Sequence, residues 1–565
     1  MRASPRFVQV LSGLLLFLAL ASGCATPRVA GTPPSSAAAP TVAAPPSCPA
    51  APAVAQGGFV PEFAILQLND VYRIGPVGDG SRGGLGRVSG LIDCTRAQTG
   101  LPVYLVHSGD FLFPSMESQY WSGAQMTDAL NFLHQKAPLV VVPGNHEFEQ
   151  KTAQALVNSL KTTKFPWVGA NLKLQTGDAD ADAKLAPEML VRMGTLQVGI
   201  FGITLDNAFG GKDRDYAPVE GGYEEIARQR IESLEQRGAD VIIGLTHLYM
   251  ETDVGLARLR QRHPKFFWIA GGHDHSLQSS PLEAGAALVT KGDSNAVRIW
   301  RILVGRENGA PALRAEMVDM NTKVPVDEVY QREVWTKYLG LLREKIPFID
   351  TRIGTSAVPL DAREDSIRNR ETAYGNFLTD LMRTAFPKVP TDIAVLNGGA
   401  IRLDDVVQGE LRFEHLLRTF GFPTRVGLVW LKGVDVRRML EQSVSGGPGE
   451  GRFLQVSGLR FTFDRSRPTR SRVLSVEVEK DGKLAPLDDA ATYVVAVPDY
   501  IFDTSDGYDM VRNASQKVPY GPDLKLMAFD AISRSYADNK PLEPKLQGRI
   551  TEVGAPSAPA ASASP

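Results

Sequence analysis

Five apolar runs in the first half of the chain each end in a side chain able to bind a hard or borderline metal ion. AILQLND ends at Asp70 and PVYLVHSGD at Asp110. PLVVVPGNH ends at Asn145 and His146, ADVIIGLTH at His247, and FFWIAGGHDH at His273 and His275. Each run is short, often β-branched and closed by turn signals, which predicts a buried strand. In open α/β sheets, ligands collect outside the carboxyl ends of the strands. The runs therefore bring these Asp, Asn and His side chains to one crevice. Such a donor mixture suits a two-metal hydrolytic centre holding borderline ions. Side chains at i and i+2 of a strand share a face, so His273 and His275 point at the cluster and Asp274 points away. A single Asp or His at a strand end is ordinarily a cap; five ends in order outweigh that reading.

A chain of 565 residues with 43% apolar content predicts two or three domains with sizeable cores. The net charge of −2, with no basic block, excludes nucleic-acid binding by phosphate neutralisation. Arg2, Arg6 and VLSGLLLFLALA form a secretory signal whose apolar core is too short to span a bilayer. The segment that follows, to residue 58, is rich in Ala, Pro, Ser and Thr and reads as an extended tether. Pairing of Cys48, in the tether, with Cys94, in a helix after Gly90, is open in an oxidising compartment, but nothing in the sequence selects it. His107 reads as a core residue and His134 and His263 as surface helix residues. Asp79, Asp93 and the acidic cluster at 178–183 read as solvated loops.

NDVY at 69–72, GDF at 109–111, GNHEFE at 144–149, THL at 246–248 and GHDH at 272–275 resemble, in order, the motifs of the calcineurin-like metallophosphoesterases. RETAYGNFLTD at 370–380, VLNGGAIR at 395–402, GRFLQVSGLRFTFD at 451–464 and PDYIFDTSDGYDM at 498–510 resemble the C-terminal domain of 5′-nucleotidases and UDP-sugar hydrolases. The resemblance implies an α/β fold: a layered metallophosphoesterase β-sandwich flanked by helices, plus a second mixed α/β nucleotide-binding domain. The expected organisation is a signal peptide over 1–23, the tether over 24–58 and a phosphoesterase domain over 59–325. A connecting helix over 326–349, a C-terminal domain over 350–552 and a disordered tail over 553–565 complete it. In the related family such a helix lets the second domain rotate. Ala21-Ser22-Gly23-Cys24 resembles a bacterial lipoprotein box, with Ala21 where Leu is usual. It implies lipidation of Cys24 and a membrane anchor facing the periplasm or the exterior, in the outer membrane of a Gram-negative bacterium; the alternative is an ordinary secretory signal.

By the same resemblance one divalent ion takes Asp70, Asp110 and His275, and the other takes Asp110, Asn145, His247 and His273. The ions (Mn, Zn, Co or Fe) clamp a hydroxide that attacks phosphorus in line. His146 stabilises the transition state or protonates the leaving oxygen, and Glu149 orients it from a place where the family often has Asp. Tyr72 departs from the family, which has His there. Three arrangements stay open: a phenolate on ferric iron, a hydroxyl standing off with water in its place, or a site holding one ion weakly. Arg370, Asn397 and Arg402 are the implied phosphate and ligand contacts. Phe453 and Tyr500 are the implied rings around a base, and Asp506 the ribose contact. Ala400 and Thr504-Ser505 depart from the family's glycines. The implied activity is metal-dependent hydrolysis of nucleotide phosphate esters. The alternatives are a 2′,3′-cyclic-nucleotide phosphodiesterase, a nucleotide-sugar pyrophosphatase, or a nucleotide-binding lipoprotein with little catalysis. Oligomeric state is left open.

Overall fold

The computed structural model describes residues 48–52, 58–205, 215–280, 283–504 and 506–554. The signal segment, Cys24, most of the tether and most of the tail lie outside the described residues.

The first half is a sandwich of two sheets. Phe59–Leu68, Val103–His107 and Leu139–Val141 run parallel in a seven-stranded sheet, extended antiparallel by Arg298–Glu307 and Ala310–Asp319. Leu196–Thr204, Val241–His247, Phe266–Gly271 and Leu288–Lys291 run parallel in a six-stranded sheet. Alternation along Phe59–Leu68 shows why the sheets stack. Phe63 and Ile65 face the second sheet, where Ile200, Ile243 and Trp268 meet them. Ala64, Leu66 and Leu68 face outward against the helices Leu85–Thr99 and Ala124–Lys136. The helices Gly222–Gln236 and Met250–Ala257 cover the outer face of the second sheet. The result is the expected helix-flanked β-sandwich.

The chain leaves this half through a helical segment from Glu328 to Lys345 that contains a π-turn over Gln331–Thr336. The Asp327 carboxylate caps its start. The Tyr330 hydroxyl donates to the Ile74 carbonyl (2.8 Å) and the Tyr338 hydroxyl to Asp128 (2.6 Å), which fix the segment against the first domain. The second half is mixed α/β. Its five-stranded sheet places Leu454–Ser457, Ile393–Asn397, Thr492–Pro498 and Val426–Lys432 side by side. The helices Ala373–Arg383 and Leu524–Ala537 pack on one face, and Gly433–Ser443 packs on the other.

Four local expectations change. Cys48 and Cys94 form a disulfide, with Cα atoms 5.5 Å apart, so the chain is fastened to the first domain well before residue 58. Gln98 and Arg301 hold the carbonyls of Pro49 and Ala50 beside it. Asp93 lies on the helix Leu85–Thr99, where Lys136 pairs with it, and not in a loop. The acidic cluster contains a helical turn, Ala179–Asp182, capped by Asp178. His134 is half-buried and accepts the Leu139 amide, while His263 lies beyond the end of its helix and pairs with Glu235. His107 is fully buried in the core.

Candidate metal centre

Asp70, Asp110, Asn145, His247 and His273 stand at or just past the ends of five parallel strands, three from one sheet and two from the other. The sandwich thus brings two sheet edges to a single site. The His273–His275 stretch is not strand, and alternation is not what aims both rings at the site. His273 (φ 80°) and His275 (φ 57°) take left-handed backbone, as do Asp70 (φ 52°) and Asp110 (φ 60°). Few non-glycine residues adopt this region, and it persists only where the surroundings impose it. Here the surroundings are hydrogen bonds. The His273 amide donates to Asp70 Oδ2 (2.9 Å) and the His146 amide to Asp110 Oδ1 (2.8 Å). The buried Glu147 carboxylate accepts the amides of Asp110, Phe111 and Leu112 at 2.9 Å each, and that of Gly144 at 2.6 Å. Gly144 has no alternative: a Cβ there would lie 2.1 Å from Asp110 Oδ1. Asp274 does point away, to Lys291 (2.7 Å) and the Met250 amide (3.0 Å).

Two donor groups result, Asp110 with His247 and His273, and Asp70 with Asp110 and His275; in each, the ligand atoms lie within 4.8 Å of one another. Asn145 Oδ1 is 3.1 Å from both His247 Nε2 and His273 Nδ1, which adds it to the first group. Donors about 2.0–2.2 Å from one ion stand roughly 3–3.5 Å apart, so the residues fit a divalent ion in each group. His247 Nδ1 is held by the Ser108 carbonyl at 2.6 Å, which leaves Nε2 for an ion. The electrostatics agree. Burial alone would raise the Asp70 and Asp110 carboxyls, but His275 beside the first and His247 beside the second hold both well below the usual range. Burial alone would lower His247, yet the Asp110 carboxylate lifts it to about 9. Burial and the charge on His247 push His273 far below 6.5. Without a cation, a proton on His247 compensates the buried carboxylates; an ion would take over that charge and release the proton.

Tyr72 is buried, and its hydroxyl projects into the second group. It lies 2.9 Å from His275 Nε2, 3.2 Å from Asp110 Oδ2 and 3.4 Å from Asp70 Oδ1. Its ring stacks on His275 with centroids 5.3 Å apart. Burial and the two carboxylates keep the phenol protonated far above its ordinary 10. His146 Nδ1 bonds the Glu149 carboxylate, and His146 Nε2 faces Arg402 at 3.3 Å.

The metal-ligand cluster forms one wall of a cavity of about 360 Å³, and the second domain forms the other. Asp110, Asn145, His146, His273 and His275 line the first wall. Asn397, Arg402, Tyr500 and Asp506 line the second. The Arg402 side chain is 8% exposed, with its guanidinium 5.0 Å from the Tyr72 ring centroid and 5.5 Å from that of Phe422.

Residues 63–277 match the calcineurin-like phosphoesterase family, and residues 352–513 match the 5′-nucleotidase C-terminal domain. The chain belongs to the calcineurin-like phosphoesterases that carry a 5′-nucleotidase C-terminal domain. It is therefore a hydrolase of the metallophosphoesterase type. The bovine 5′-nucleotidase is 25% identical over 490 residues, covering 79% of this chain and 82% of that protein. The trifunctional nucleotide phosphoesterase YfkN of Bacillus subtilis is 24% identical over 491 residues; the match covers 80% of this chain but 32% of that longer protein. The crystal structure of a 5′-nucleotidase precursor from Thermus thermophilus is 26% identical, with a TM-score of 0.73, covering 87% of this chain and all of that one.

Two expected contacts of this phosphoesterase lie elsewhere. Phe453 is 1% exposed and packs in the core of the second domain with Phe463. From the second domain, Phe422 lines the cavity with Tyr500, and Tyr249 lines it from the first domain. Arg370 faces outward and bonds Ser366, while Arg368, two residues earlier, is buried and lines the cavity. Sequence reading also passes over Glu147, Glu364 and Arg452. Glu147 stands inside the GNHEFE motif, where a carboxylate next to His146 is a usable signal. Arg452 lies at the start of the GRFLQVSG segment and lines the cavity, its guanidinium 5.1 Å from the Tyr249 ring centroid. Glu364 carries no signal, because docking of the two domains gives it its place.

Proposed function

We propose that this phosphoesterase removes phosphate from 5′-nucleotides outside the cytoplasm, with two divalent ions as cofactors. The observation that carries this reading is the shared cavity. One wall holds the donor groups; the other holds three guanidinium groups (Arg368, Arg402 and Arg452), the rings of Phe422 and Tyr500, and carboxylates that include Asp506. A ligand with a phosphoryl group at one end and a planar base at the other satisfies both. The first ion falls to Asp110, Asn145, His247 and His273. The second falls to Asp70, Asp110 and His275, with the Tyr72 hydroxyl as a fourth donor. When bound, the ions supply an activated water and positive charge for the phosphoryl oxygens.

The chain's own groups do the rest. Arg368 and Arg402 bind and orient the phosphoryl oxygens, for which planar guanidinium groups are suited. His146 holds a proton for the leaving oxygen, and Glu149 fixes its ring. Phe422 and Tyr500 flank the base, and Asp506 accepts from the ribose. Asn397 is buried, and its carbonyl oxygen has no hydrogen-bond partner among the described residues, which suits a ligand donor.

The Cys48–Cys94 disulfide supports an oxidising compartment. Among the described residues no helix is long and apolar enough to cross a membrane. The lipobox-like segment Ala21-Ser22-Gly23-Cys24 supports anchoring by lipidation at Cys24. The deciding experiment measures phosphate release from nucleoside monophosphates, nucleotide sugars and 2′,3′-cyclic nucleotides, with Mn²⁺, Zn²⁺, Co²⁺ and iron added in turn. Monophosphates should be hydrolysed fastest. Faster turnover of a sugar nucleotide or cyclic ester reassigns the substrate. Turnover that survives exhaustive removal of metal overturns the metal mechanism.

A further inference from the structure

His275 belongs to the first domain, but its second ring nitrogen is held from the other one. Glu364, which opens the short helix Glu364–Ile367, reaches across and sets Oε2 2.5 Å from His275 Nδ1. The same oxygen accepts the Ser294 hydroxyl at 2.7 Å. The other oxygen accepts Arg368 Nη2 at 2.9 Å and faces Arg402 Nη1 at 3.5 Å. A second strut runs beside it: the Glu364 amide donates to Asp404 Oδ1 (3.2 Å), and Asn295 of the first domain donates to Asp404 Oδ2 (2.9 Å). Glu364 is buried, so this carboxylate is committed to the interface. One of the other donor group's two histidines is arranged differently. His247 takes its support from the Ser108 carbonyl, within its own domain.

A carboxylate on the far nitrogen of a ligand histidine fixes its tautomer and orientation and raises the basicity of the near nitrogen. For His275 that support exists only while the second domain is docked. Building on the two-ion reading above, we infer that Glu364 is a positioning residue that couples the docking of the C-terminal domain to ion affinity at the Asp70–Asp110–His275 group. The coupling is reciprocal: an ion in that group favours the docked arrangement by the same factor. The Asp110–Asn145–His247–His273 group meets this coupling through the shared Asp110 and not through a histidine held by Glu364, so the two ions differ in sensitivity to the domain interface. Arg368 and Arg402 share the Glu364 carboxylate, so an anion that engages them acts on the same linkage.

The test uses the full chain and Mn²⁺ alone, with no substrate. Calorimetry and counting of bound metal give two sites in the wild type. Glu364→Gln, nearly isosteric and without the charge, should weaken one site about 10–100-fold, the usual cost of removing such a partner, and affect the other less. His275→Ala identifies the affected site by abolishing the same one. Backbone hydrogen exchange over residues 362–369 gives the reciprocal readout: Mn²⁺ should slow it in the wild type and not in Glu364→Gln. If Glu364→Gln fails to fold, Glu364→Asp keeps the charge, loses the reach and carries the same comparison. Wild-type affinity at both sites in the variant, with Mn²⁺ still slowing exchange, overturns the inference alone. A wild type that binds no Mn²⁺ overturns the metal-centre reading and this inference with it.

Discussion

Asp110 is the one side chain present in both donor groups, and Tyr72 adds a hydroxyl to only one of them. Asp110→Ala should therefore lower kcat by about 10²–10³-fold or more, the scale of losing a charge-stabilising group. Tyr72→Phe keeps the ring on His275 and should cost less, about 10–100-fold in affinity for one ion. Phosphate release and metal counting on both variants check this ordering. Equal damage from Tyr72→Phe, with loss of a visible absorption band, would instead point to a phenolate on ferric iron. His247 supplies the pH dependence. Its folded value of about 9 lies above its ordinary 6.5, so in the ion-free protein its stabilising pair with Asp110 is complete below 6.5 and is lost as pH rises through 9. An incoming ion must displace that proton. Mn²⁺ affinity should rise with pH over the same interval by up to about tenfold per unit, and calorimetry showing no such rise would remove His247 from the ligand set. At this scale the donors were legible because each ends an apolar run and a motif. Glu364 was not, since its partner His275 lies 89 positions away and only docking joins them. Arg368 and Arg370 sit two apart in one short run, and only the folded backbone shows which one faces the cavity.

The loops after the strands show how local geometry makes a site from ordinary residues. Of four left-handed residues, Asp110 and His273 donate their amides to the Glu147 and Asp70 carboxylates, while the Asp70 amide donates to the Gly109 carbonyl and the His275 carbonyl accepts the Ser294 amide. The strands themselves could be read from apolar runs. The reason for both histidines facing the site could not, because alternation applies to strand and this stretch turns instead. The connecting helix was legible from the apolar spacing over 326–346, within which the helix carries Gly340 without a break, whereas its π-turn has no such signature. The loops give a sharp expectation for Gly144. An added methyl would meet Asp110 Oδ1 at 2.1 Å, so either the loop or the bridging carboxylate must move. Gly144→Ala should cost about 1–3 kcal/mol in thermal unfolding, as overpacking does. It should also release metal well before the fold is lost. A variant that keeps both ions at wild-type affinity would show that the contact of the two loops is not what positions Asp110.

For the whole molecule, the disulfide and the cavity each tie distant stretches together. The Cys48–Cys94 link closes a loop of 46 positions, and loops of that size are associated with about 3–4 kcal/mol of stabilisation. Cys94→Ser should lower the unfolding temperature accordingly in oxidised protein and make it insensitive to reductant. Cys24→Ser should leave the protein unprocessed or release it from the membrane fraction; mass spectrometry finding an unmodified mature N-terminus elsewhere would leave secretion without an anchor. The division of labour between the domains is tested by three aromatic rings. Sequence pattern alone pairs Phe453 with Tyr500, because both lie in segments resembling base-binding motifs. The fold separates them: Phe453 is sealed in the core, while Phe422 and Tyr500 line the cavity across from the metal-ligand cluster. A ring that binds a base far from phosphorus affects substrate binding more than chemistry. Tyr500→Ala should thus raise KM for nucleoside monophosphates while sparing a small artificial phosphate ester, whereas Phe422 also packs against His146 (ring centroids 5.9 Å apart), so Phe422→Ala should slow both substrates. Phe453→Ala should instead destabilise the fold by about 3–5 kcal/mol, the usual cost of emptying an aromatic core position, with both substrates affected alike. If Phe453→Ala selectively weakens nucleotides and Tyr500→Ala does not, the cavity wall is misassigned and the motif-level pairing is restored.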